Sequence, residues 1–113
     1  MSALSDFLPG LRVHPPQGDG VLVVEGELDL STVPRLRSVF EMHRPAAGDV
    51  TLDVSGLRFI DSTGLQELLD LSAGLTGGAI VLRNVPAYVM KLLRVTGLDR
   101  SDRIRVDATG SIR

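Results

Sequence analysis

Apolar and polar positions change their spacing repeatedly along the chain, and the changes mark alternating strands and helices. Leu11-Arg12-Val13-His14 reads as a short strand stopped by Pro15-Pro16, and Gln17-Gly18-Asp19-Gly20 turns the chain. The run Val21-Leu22-Val23-Val24 predicts a strand buried on both faces, left by Gly26-Glu27-Leu28-Asp29. Ser31 or Thr32 then caps a helix with Pro34 in its first turn; Val33, Leu36 and Phe40 share one face, and Pro45 ends it. Val50, Leu52 and Val54 alternate with Thr51 and Asp53, the period of a strand. Ser55-Gly56 is expected to turn the chain, with Phe59-Ile60 supplying buried apolar mass before Asp61.

A second helix is predicted from Ser62 or Thr63, with Leu65, Leu68, Leu69 and Leu75 at helical spacing and Gly77-Gly78 closing it. Ala79-Ile80-Val81-Leu82 is a further short strand. Asn84-Val85-Pro86 opens a third helix with Val89, Leu92 and Leu93 inward and Gly97 as C-cap, and Ile104 and Val106 mark a last strand. Strands alternating with helices imply parallel strands joined by right-handed crossovers. The fold class is therefore α/β: a small, mostly parallel mixed sheet with an antiparallel N-terminal edge, flanked by helices. Residues 1–113 read as a single domain with a core over about 11–107, a loose arm over Met1–Gly10 and a frayed tail from Asp107.

Composition narrows the function. A chain of 113 residues has room for one ordinary core. Its formal net charge of −2 provides no basic field for nucleic acid, and the C-terminal arginines 94, 100, 103 and 105 are interleaved with Asp99, Asp102 and Asp107. The absence of cysteine removes disulfides, thiol nucleophiles and zinc–thiolate sites. No apolar run approaches a membrane span, and the first residues lack the pattern of a signal peptide, so a cytoplasmic protein is expected.

In such sheets, sites collect where strand C-termini feed helix N-termini. Two loops answer that description, Leu28-Asp29-Leu30-Ser31 and Ile60-Asp61-Ser62-Thr63-Gly64. The first amides of a helix lack acceptors and carry the positive end of its dipole, so an anion is tolerated there. A phosphate on Ser62 would bring a charge of about −1.5 to −2 beside Asp61, repelling an acidic surface docked against it. The same residues also suit plain capping: Asp61, Ser62 and Thr63 are all good caps, and Thr63-x-x-Gln66 fits a capping box.

The landmarks occur in a characteristic order: Gly26-Glu27-Leu28-Asp29-Leu30, then Val50 through Asp61-Ser62-Thr63-Gly64-Leu65, then Asn84-Val85-Pro86, then Leu92-Leu93-Arg94-Val95-Thr96-Gly97-Leu98. Over about residues 11–107 this closely resembles the STAS family, and in particular its bacterial anti-sigma-factor antagonists. The resemblance implies a partner-switching regulator of transcription in stress responses. Ser62 takes the position phosphorylated by an anti-sigma factor that is also a serine kinase of GHKL type. The unphosphorylated form binds that kinase and frees the sigma factor, and a phosphatase resets the phosphorylated one. The resemblance further implies that Asp61 shapes the loop and the kinase contact. Thr63 reads as cap and contact residue, Gly64 as a point of close backbone approach, and Leu65 as core. Asp29 is either a neighbour of the switch or a helix-entry turn residue. Many relatives end in a further amphipathic helix, whereas Asp107–Arg113 is short and broken by Gly110, which leaves one sheet face less covered and a monomer or weak dimer expected.

Catalysis finds little support. Ile60 stands where a Gly-x-Ser-x-Gly elbow needs its first glycine, and only His14 and His43 could act as bases. There is no Gly-Lys-Ser/Thr phosphate loop, and Lys91, the sole lysine, falls within a predicted helix rather than on the late loop a receiver domain requires. No cofactor and no metal are expected. The rival reading is a non-switching STAS adaptor or scaffold in a lipid-transport or stress-signalling complex; the hydroxyl at Ser62 favours the switch.

Overall fold

Each strand of the sheet lies beside its neighbours in sequence. The computed structural model describes residues 10–107. The elements run β1 (Leu11–His14), β2 (Val21–Leu28), α1 (Val33–His43), β3 (Val50–Ile60), α2 (Ser62–Ala73), β4 (Ile80–Arg83), α3 (Ala87–Thr96), a 3₁₀ turn (Leu98–Arg100) and β5 (Ile104–Asp107). The sheet order is β1-β2-β3-β4-β5; β1 pairs antiparallel to β2, and the remaining pairs are parallel. The expectations for the arm before Gly10 and the tail after Asp107 lie outside the described residues.

Because the three crossovers step in the same direction, right-handedness places α1, α2 and α3 together on one face. That face holds a continuous core: Leu22, Val24 and Leu28 of β2, Leu52 and Val54 of β3, Ile80 and Leu82 of β4 and Ile104 of β5, under Leu36, Phe40, Leu65, Leu68, Val89 and Leu93 of the helices. The other face carries Arg12, His14, Glu25, Thr51, Asp53, Arg83 and Arg105 by register. The expectation that Val21–Val24 is buried on both faces therefore fails at Val23, which is only half-buried on the second face.

Two boundaries differ from the sequence expectation for a shared reason. β2 runs on to Leu28, and β3 runs through Ser55-Gly56 to Ile60 instead of turning there. Against β2, β3 takes one surplus residue between Asp53 and Gly56 and another at Arg58. Each bulge shifts the side-chain alternation by one, so the buried positions fall at Val50, Leu52 and Val54 and then at Leu57 and Ile60. A strict two-residue period cannot find that strand. α2 stops at Ala73 with Gly74 as its C-cap, short of Gly77-Gly78. α1 ends where Arg44 turns extended before Pro45, and α3 ends at Gly97 with φ +80°, both as the sequence predicts.

Candidate functional site

The ends of β2 and β3 and the starts of α1 and α2 meet at the C-terminal edge of the sheet. Asp61 is the N-cap of α2, with extended backbone, and its Oδ1 accepts a hydrogen bond from the Gly64 amide at 3.0 Å. Ser62 follows as the first helical residue and is exposed. Its hydroxyl thus sits on the outside of a turn whose free amides form the positive end of the helix. Thr63 is half-buried, and the capping box expected of Thr63 and Gln66 does not form: the N-cap is Asp61, two residues earlier, and Gln66 instead donates to Asp70 at 3.0 Å along the helix.

Gly64 explains the close fit of α2 to the strands. A Cβ there would stand 2.6 Å from the Leu28 carbonyl oxygen and 2.8 Å from Ile60 Cγ1. The Asp61 amide donates to the same Leu28 carbonyl at 3.4 Å. Leu65 is buried in the core beneath.

The Asp29 turn lies directly after Leu28. Asp29 Oδ1 accepts from the Ser31 amide at 3.0 Å and the Ser31 hydroxyl at 2.7 Å. Thr32 Oγ1 accepts from the Asp29 amide at 2.9 Å and donates to the Glu27 carbonyl at 2.8 Å. The Ser31 hydroxyl bond, followed by the Ser31 and Thr32 bonds, holds the Asp29 carboxyl below its ordinary range. Asp29 is thus the helix-entry turn residue, and it also stands at the same edge as Ser62. Asp29, Asp61, Ser62, Thr63 and Gly64 all gather at this edge.

Three features escape the sequence reading. Leu30 is 73% exposed and Phe59, expected to be buried, is 46% exposed; both belong to this edge. The Arg58 bulge is what turns Phe59 outward, opposite Glu27. Glu67, only 3% exposed, receives two hydrogen bonds from Arg37 of α1, which ties α1 to α2. The signal for Glu67 is its position four residues before Leu71 and three after Gly64, on the inward stripe of α2. The third lies at the next strand: β4 ends opposite Asp53, and Tyr88 of α3 donates its hydroxyl to the Leu57 carbonyl at 2.8 Å on the length of β3 beyond it.

The histidines lie elsewhere. His14 ends β1 against Glu25 at 3.1 Å, and His43 is in the last turn of α1, so neither reaches Ser62 as a base. Among the described residues no helix is long and apolar enough to cross a membrane.

Sheet order and site together define a small α/β domain that offers a helix-capped serine at the C-terminal edge of its strands. Residues 12–111 match the family described as Mlab, STAS domain, and the chain belongs to the STAS domain family. Among solved structures it is similar to an anti-sigma factor antagonist from Mycobacterium paratuberculosis, with a TM-score of 0.65 and 27% identity over 85% of this chain and 86% of that one. It is also similar to the murine Solute Carrier 26 family member A9 anion transporter in its inward-facing state, with a TM-score of 0.63 and 16% identity over 98% of this chain and 23% of that one, a likeness of fold alone. No protein with a curated description matches it.

Proposed function

We propose that the chain is an anti-sigma-factor antagonist with Ser62 as its phosphorylation switch, acting in the cytoplasm. The observation that carries this reading is an exposed serine as the first residue of α2, next to its Asp61 cap, in a chain similar along most of its length to an anti-sigma factor antagonist. The unphosphorylated form binds an anti-sigma factor with GHKL-type serine kinase activity and so frees the sigma factor. The kinase places a phosphate on Ser62, the complex dissociates, and a phosphatase restores binding. Asp29, Asp61, Ser62 and Thr63 belong to the docking edge, and Gly64 supports it from beneath. The domain itself performs no catalysis.

The geometry suits a switch that leaves the fold intact. The phosphate would add a charge of about −1.5 to −2 on the protein surface, at the end of a helix that favours anions, so the free domain tolerates it while a docked partner meets it directly. The test is intact mass after incubation with ATP and a candidate anti-sigma kinase, with the site mapped by fragmentation. One phosphate on Ser62, absent from Ser62→Ala, supports the switch. A stable complex without phosphate points to the adaptor reading.

A further inference from the structure

We propose that Leu30 and Phe59, exposed at the sheet edge where Ser62 begins α2, are the apolar anchors on which the anti-sigma factor docks. The inference rests on the function proposed above and deepens it.

Five large apolar side chains are exposed among the described residues: Leu30, Met42, Phe59, Tyr88 and Val95. Met42 and Val95 lie in the last turns of α1 and α3, at the far end of the strands. Tyr88 is engaged through its hydroxyl with Leu57. Leu30 and Phe59 remain, and both belong to the sheet edge at which Ser62 begins α2. Phe59 precedes it by three residues on β3, and Leu30 projects from the turn after Leu28, whose carbonyl meets the Asp61 amide. Both are mounted on ordered backbone, Leu30 on the turn closed by Asp29, Ser31 and Thr32, and Phe59 on a strand paired with Glu27. Apolar groups held rigidly in this way bind a partner with little loss of conformational freedom.

The charges at this edge are nearly balanced. Glu27, Asp29 and Asp61 lie there with the guanidiniums of Arg58 and Arg35, and Arg35 donates to the Leu11 carbonyl at 3.0 Å. The two apolar side chains are therefore what sets this edge apart from the rest of the surface, and a partner that fits presents apolar groups to Leu30 and Phe59. A phosphate on Ser62 would add a charge of about −1.5 to −2 to that same edge.

The experiment titrates the unphosphorylated and Ser62-phosphorylated chains against the anti-sigma factor by calorimetry. Leu30→Ser and Phe59→Ser are each expected to lower affinity by about tenfold or more, while Met42→Ser and Val95→Ser change it by less than about twofold. Affinities insensitive to Leu30 and Phe59 overturn the inference and leave the antagonist reading standing. A chain that binds no anti-sigma factor overturns both.

Discussion

Arg37 holds Glu67 in a fork, Nε to Oε2 at 3.0 Å and Nη2 to Oε1 at 2.6 Å, with the carboxylate buried and the guanidinium 56% exposed. The pair joins the helix that begins at the Asp29 turn to the helix that begins at Ser62. Glu67 favours the protonated guanidinium further, first through the hydrogen bond and then through its charge. Removing one partner leaves the other's buried charge unmatched, whereas removing both does not. Arg37→Ala is therefore expected to lower stability more than the double variant Arg37→Met/Glu67→Leu. Urea unfolding measures both; equal losses would show that Glu67 finds another partner or water.

Gly64 has no room for a side chain between the Leu28 carbonyl and Ile60. Gly64→Ala is expected to cost about 2 kcal/mol of stability, the range for forcing atoms into filled space. Gly64→Val costs more, and lowers both partner binding and phosphorylation because it pushes the start of α2 off the strands. Thermal unfolding with and without partner separates the two effects.

Asp61 contributes to the local helix as well as to the site. Losing its bond to the Gly64 amide in Asp61→Ala is expected to cost about 1 kcal/mol, the usual worth of an N-cap, while Asp61→Asn keeps most of it. If Asp61→Asn binds the partner poorly yet unfolds like the native chain, the charge acts at the interface rather than in the cap.

The Asp29 turn is pH-dependent in a defined direction. Its carboxyl titrates below the ordinary value of 3.8, chiefly because the Ser31 hydroxyl donates to the carboxylate. A depressed folded value means that the turn's contribution is complete above pH 3.8 and fades as pH falls through the lower folded value. NMR titration of the Asp29 carboxyl carbon is expected to show a midpoint that rises in Ser31→Ala. A midpoint unmoved by that substitution would assign the depression to Thr32 and the backbone.

Ser62→Ala is expected to bind the anti-sigma factor as tightly as the native chain and to resist release by ATP. Ser62→Glu is expected to bind at least about tenfold more weakly, a lower bound because a single charge understates the phosphate. Equal affinities for the two variants would show that Ser62 lies outside the interface.

Most of the fold can be read from spacing, because the helix faces Val33-Leu36-Phe40 and Leu65-Leu68 bury the very residues their periods select. The position of the site is also readable, since strand ends and helix starts must coincide in parallel crossovers. What spacing conceals are the places where tertiary contacts override local rules. Ser55-Gly56 has the composition of a turn, but pairing with β2 carries the strand across it. Asp61 takes the cap ahead of Thr63 because the Leu28 carbonyl fixes its amide. Glu67 lies on the inward stripe of α2, but the partner that makes its burial possible, Arg37, comes from thirty positions away. Phe59 reads as core, and only the Arg58 bulge turns it outward.

The surplus residues of β3 can each be spared. Without Ser55, Val54 and Gly56 would follow one another opposite Val24 and Glu25; without Arg58, Leu57 and Phe59 would follow one another opposite Gly26 and Glu27. In either case Ile60 keeps its place opposite Leu28, and with it the serine. Kindred chains shorter by one or two residues in this stretch should therefore still hold the hydroxyl where it is, and a larger loss marks a chain that has given up its position.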